Sequence, residues 1–114
     1  MKKANPLQTV NGAALFDYIN VGQFNENTLT VLKAENRTLD FHVHEQSDEL
    51  FYVLEGQFVL EFNESAVTLM AGDLIIVPKG TRHRPVVTTC VKCLLMQRNG
   101  TLHAENTGGT HAIT

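Results

Sequence analysis

Short apolar runs, cut at near-regular intervals by glycine, proline and asparagine, limit this chain to a narrow set of folds, because no stretch of any length keeps a helical period. Residues 50–54 (LFYVL) stop at Glu55-Gly56, residues 67–70 at Ala71-Gly72-Asp73, and residues 74–77 at Pro78-Lys79-Gly80-Thr81. Glycine adopts positive φ without a Cβ penalty and proline presets φ, so each break is a turn with a mechanism. Upstream, residues 27–35 read as a strand with Leu29 and Val31 on one face and Thr28, Thr30 and Leu32 on the other, and Asn36-Arg37 reads as a turn. Residues 86–96 read as a final β run. Many short strands joined in this way predict an all-β sandwich or small barrel. With 114 residues, 43% of them apolar, the chain makes one domain with a core of its own. Residues 1–23 read as an arm or first strand and residues 98–114 as a polar tail, in which His103 and His111 are solvated.

The chemistry is concentrated between Asp40 and Gly56 (DFHVHEQSDELFYVLEG). In an extended segment Asp40, His42 and His44 share one face, and Leu39, Phe41 and Val43 the other. Glu45-Gln46-Ser47-Asp48 is a polar break, which predicts a hairpin with a four-residue loop. That hairpin sets His44 against Glu49 and His42 against Phe51. Two imidazoles and a carboxylate on one rigid face are part of a site for a divalent transition metal such as zinc, iron, manganese, nickel or copper. A second tight hairpin at Gly56 sets Val53 against Phe58, Phe51 against Leu60 and Glu49 against Phe62. Phe51, Val53, Phe58, Leu60 and Phe62 are thereby the expected lining of a substrate pocket around the histidines, apolar enough to exclude bulk water. Asp40 reads either as a supporting or substrate-contacting carboxylate or as a strand-end group near water.

A net charge of −3 leaves no basic footprint for nucleic acid or an anionic membrane. No apolar run reaches the roughly 18 residues that span a bilayer, and Met1-Lys2-Lys3 is not followed by the apolar core of a signal peptide, so the expected location is cytoplasmic. Cys90 and Cys93 spell C-x-x-C, but three residues apart on a strand the thiols face opposite ways and no second pair completes a zinc knuckle. Arg82 and Arg84 flank His83, either as a solvated pair or as rim contacts for an anion.

Taken together, these stretches resemble the cupin superfamily, and in particular its small single-domain bacterial members. His42, His44, Glu49 and Gly56 are similar to the first cupin motif, and Gly72, Pro78, Gly80 and His83 to the second, with fifteen residues between Gly56 and Gly72. Asn36 stands where that family usually opens the first motif with glycine, and Val87 where it usually closes the second with asparagine. The resemblance implies a double-stranded β-helix, or jelly roll, with a metal held by His42, His44, Glu49 and His83, and three neutral imidazoles with one carboxylate suit iron, manganese, nickel or zinc. Small cupins of this shape are often grouped with mannose-6-phosphate isomerase, a relation of fold and not of activity.

Two functions fit these residues. One is a small metalloenzyme of oxygenase or isomerase type acting on a small polar metabolite; the other is a non-catalytic module that binds or senses a sugar or carboxylate. Leu50, Tyr52, Leu54 and Val59, with Leu39, Phe41 and Val43, are expected to face away from the histidines, which predicts a homodimer packed through these strands and partly closed by the N-terminal arm.

Overall fold

The computed structural model describes residues 1–101 and shows two antiparallel sheets facing each other. In chain order the elements are α1 (Pro6–Asn11), β1 (Ile19–Phe24), β2 (Asn27–Ala34), β3 (Arg37–Thr38), β4 (Glu49–Glu55), β5 (Gln57–Glu61), β6 (Ala66–Met70), β7 (Leu74–Val77), β8 (Arg84–Val87) and β9 (Val91–Arg98). One sheet runs β1-β2-β9-β4-β7 and the other β3-β8-β5-β6, the crossed order of a jelly roll. Alternation places Phe51, Val53, Cys93 and Leu95 from the first sheet against Phe58, Leu60 and Val87 from the second, all of them buried in one core. The turns fall where glycine and asparagine predict them: Asn36 takes φ 50°, Gly56 84°, Gly72 92° and Gly80 80°.

Both expected hairpins are corrected. Residues 39–48 do not pair with β4, because β4 already has β7 on one edge and β9 on the other. They cross from the second sheet to the first instead. The turn at Gly56 likewise joins strands of different sheets, so Phe51 and Phe58 meet across the interior with ring centroids 5.8 Å apart rather than as ladder neighbours. Residues 86–96 are two strands, broken between β8 and β9 and divided between the sheets. Leu39 is buried, not outward. The N-terminal segment contains a short helix as well as β1. Asn5 caps it by accepting from the Gln8 N–H at 3.0 Å and Pro6 opens it. Packed on β1, β2 and β9, it leaves Val10 and Val31 with no exposed surface.

Gly56 carries two constraints at once. Its φ is in the left-handed region, and a Cβ there would fall on the Cys90 carbonyl oxygen and crowd Val91 Cα, which are backbone and cannot rotate away. Gly72 has a similar φ but open space around it. Gly72→Ala is therefore expected to cost about 1–2 kcal/mol, the conformational penalty alone. Gly56→Ala costs distinctly more, and equal losses in denaturant unfolding would contradict the close-approach argument.

Candidate metal centre

Two segments distant in sequence are clasped at one point. The His42 N–H donates to the His83 carbonyl at 2.9 Å, the His83 N–H returns a bond to the His42 carbonyl at 3.0 Å, and the Gly80 N–H donates to the His44 carbonyl at 2.9 Å. Residues facing each other in such a bridge put their side chains on the same side, so His42 and His83 enter the interior together, with ring centroids 4.5 Å apart. The loop between His44 and Glu49 is pinned just before Glu49 by two adjacent side chains. Ser47 Oγ accepts from the Arg98 N–H at 2.8 Å, and Asp48 Oδ1 accepts from the Lys79 N–H at 2.9 Å. Glu49 then starts β4 pointing inward, where Oε1 lies 3.1 Å from His83 Nε2 and 3.3 Å from His44 Nε2.

The four candidate ligands thus converge, with one nitrogen or oxygen of each within 4.8 Å of the others. Atoms bound to a common ion at ~2.0–2.2 Å can be no more than ~4.4 Å apart, so the cluster is a few tenths of an ångström from closing on one. Proton placement fits the same group. His42 Nδ1–H donates to the Asp40 carbonyl at 2.9 Å and His83 Nδ1–H to the Thr81 carbonyl at 2.8 Å, each two residues upstream. A neutral His83 ring so anchored presents a lone pair at Nε2, facing a carboxylate oxygen that is also an acceptor. That contact is repulsive unless the ring takes a second proton or a cation is shared between the two atoms. An Nδ1–H anchored on a carbonyl, which makes Nε2 the lone-pair atom, is the arrangement that metal-binding histidines use.

Burial shapes the charges. His42 is lowered to about 4, chiefly by desolvation. Burial opposes ionisation of Glu49, but in the metal-free protein His44 and His83, where their Nε2 atoms carry a proton and donate to it, outweigh that cost and hold the carboxyl well below its usual range. Beside the cluster lies a cavity of about 580 Å³ counting its open mouth, bounded by His42 and Glu49 on one side and mostly by apolar walls elsewhere.

Of the expected pocket residues, Phe51 and Phe58 line this cavity. Val53 and Leu60 are buried in the core behind it, Phe62 packs at the core's margin, and Asp40 is exposed, touching the site through its backbone carbonyl. Arg82 and Arg84 do not reach the cavity. They stack over Phe41 at 3.9 and 4.4 Å, with Arg82 donating to Asn63 and Arg84 paired to Glu61 at 2.7 Å. Cys90 and Cys93 are both free; Cys93 lines the cavity, where burial pushes its thiol up to about 12. His103 and His111 lie outside the described residues. Sequence reasoning missed Phe16, Tyr18, Arg37 and Val87 as lining residues. No signal in the neighbouring sequence pointed to them: Asn36, at φ 50°, marks a turn but not which way the next side chain faces.

Comparison with known proteins matches residues 29–96 to the cupin domain family. The uncharacterized protein YdbB of Bacillus subtilis (strain 168) is 48% identical over 46 residues, 40% of this chain and 41% of that protein, so the chain spans about two fifths of this curated relative. A cupin-2 domain containing protein from Shewanella frigidimarina NCIMB 400 superposes with a TM-score of 0.75 at 24% identity, over 81% of this chain and 89% of the other. Hydroquinone 1,2-dioxygenase from Sphingomonas sp. TTNP3, with 4-hydroxybenzoate bound, superposes with a TM-score of 0.69 at 15% identity, over 83% and 72%. At such identities the structural likeness establishes the jelly-roll fold.

The lowered pKa of His42 has a consequence for the metal-free protein. Between pH 6.5 and about 4 the unfolded chain takes up a proton at this residue that the folded chain does not, so stability falls as pH drops through that interval. Glu49, held low, adds a further loss at more acid pH. The melting temperature of chelator-treated protein is expected to decline from pH 6.5 toward 4, with a shallower decline in His42→Ala. A melting temperature that rises toward acid would contradict this.

Proposed function

The chain belongs to the cupin domain family, and from that premise we propose that it is a small metalloenzyme holding one divalent iron, manganese, nickel or zinc ion through His42, His44, Glu49 and His83. The observation that carries the proposal is the convergence of these four groups, with the Nε2 atoms of His44 and His83 3.3 and 3.1 Å from one oxygen of Glu49. An ion in that cradle supplies Lewis-acid polarisation or, if redox-active, oxygenase-type electron transfer. The chain's own residues set the conditions. Asp40 and Thr81 orient two of the imidazoles, Glu49 brings the one negative charge of the cluster, and the apolar walls keep bulk water from an organic substrate.

A second reading, a binding or sensing module, draws on a different observation. Among the described residues lining the cavity, the titratable groups apart from Arg37, His42 and Glu49 are Tyr18 and Cys93, and burial raises both. Neither is poised near neutral pH to move a proton. Turnover separates the two readings. The purified protein is expected to carry about one transition-metal ion per chain. His83→Ala is expected to weaken that binding by more than the roughly 10–100-fold that a lost supporting contact costs. Oxygen consumption or conversion of a metabolite, abolished in His83→Ala, identifies an enzyme; metal and ligand binding with neither identifies a module.

The same proposal includes a homodimer. Leu74 and Ile76 on β7 are 54% and 55% exposed, beside the half-buried outer side chains Leu50, Tyr52 and Leu94, while α1 covers the other end of this face. An apolar face of that kind marks an interface. Light scattering at micromolar concentration should give twice the 12.7 kDa of one chain, reduced to one chain by Leu74→Lys with Ile76→Lys; a monomeric wild type contradicts the dimer.

A further inference from the structure

Opposite chemistry to the metal cluster is present in the same cavity. Arg37, on β3 and paired in register with Val87, is one of its lining residues. The guanidinium carbon sits 3.8 Å above the centre of the Phe16 ring. Its Nη1 is buried with no hydrogen-bond partner among the described residues, whose arginine and lysine ion pairs with carboxylates use Arg84 and Lys92. A guanidinium keeps its charge and cannot relieve burial by losing a proton. Leaving the N–H groups of a buried Nη1 unpaired in a mostly apolar enclosure is costly, and stacking on an aromatic face offsets only part of that. Contact with the ring face holds the group in place while Nη1 stays available, and a guanidinium so held receives a carboxylate most favourably through two parallel bonds.

We propose that Arg37 is the anion anchor of this cavity and that its ligand is a small organic acid, a carboxylate at the guanidinium joined to an apolar body. This rests on reading the cavity as the substrate site. The walls decide against a sugar. Besides Arg37 and the cluster itself, the described residues of the cavity offer only the Tyr18 hydroxyl and the Cys93 thiol as side-chain polar groups, too few for a polyol, whereas Phe16, Phe51 and Phe58 suit an aromatic or aliphatic body. Charge points the same way. Glu49 and Arg37 cancel, so a divalent ion at the cluster leaves the interior in positive excess, and a monoanion reduces it.

Isothermal titration of zinc-loaded protein with benzoate and hexanoate, against benzamide and hexanamide as neutral counterparts, tests the assignment. Wild type, Arg37→Met and Arg37→Lys are compared, with folding checked by circular dichroism and zinc measured in every sample. The acids are expected to bind wild type more tightly than their amides. Arg37→Met should weaken the acids by roughly tenfold or more while leaving the amides unchanged, and Arg37→Lys should retain part of the preference. The assignment is overturned if the acids bind Arg37→Met as well as wild type, if they bind wild type no better than the amides, or if nothing binds. Should wild type fail to hold zinc while acid binding still depends on Arg37, the metal reading falls and this one stands. The reverse pattern sinks the anchor alone.

Discussion

A two-residue bridge, His42 against His83, is the constraint on which the rest of the site depends. It joins a segment leaving the second sheet to one entering it, and its paired backbone bonds set the spacing of two imidazoles before any ligand is considered. The cage around it serves that placement. Gly56 turns the chain between sheets against the Cys90 carbonyl, and Ser47 and Asp48 hold the crossing loop so that Glu49 begins β4 already facing the two Nε2 atoms. Rigid support of this kind is what a site needs if its groups are to act together rather than one at a time.

Much of this was legible in the chain. Spacing alone put His42, His44 and Glu49 near each other, and the similarity to cupin motifs added His83. The strands from 27–34, 49–55 and 74–77 follow from apolar runs bounded by glycine, proline and asparagine. What failed was pairing. A local hairpin is the cheapest partner for a strand when only neighbouring residues are considered, but β4 is paired on both edges by β7 and β9, which arrive later in the chain. The residues nevertheless meet, because two facing sheets share one interior and inward side chains converge across it as well as along a ladder. Arg37 and Tyr18 were not legible, since nothing local says which inward side chain a distant sheet will leave unpaired.

The cavity combines groups that repel water with groups that require compensation. Apolar walls raise the stakes of every polar atom within them. They lower His42, raise Cys93 and keep the Tyr18 phenol protonated as a donor. Two imidazoles hold Glu49 ionised, whereas Nη1 of Arg37 has no such partner among the described residues. The interior thus holds one shared carboxylate and, in the same cavity lining, one buried guanidinium nitrogen still able to donate. The two proposed occupants, a cation at one group and an acid at the other, would each answer one half of it.

The most direct test is anomalous diffraction from crystals of the protein grown with a single first-row metal. The account predicts one strong peak per chain at roughly 2.0–2.2 Å from a nitrogen of His42, His44 and His83 and an oxygen of Glu49. An ordered site with no peak, and with the Glu49 carboxylate still bonded directly to the two imidazoles, would contradict it.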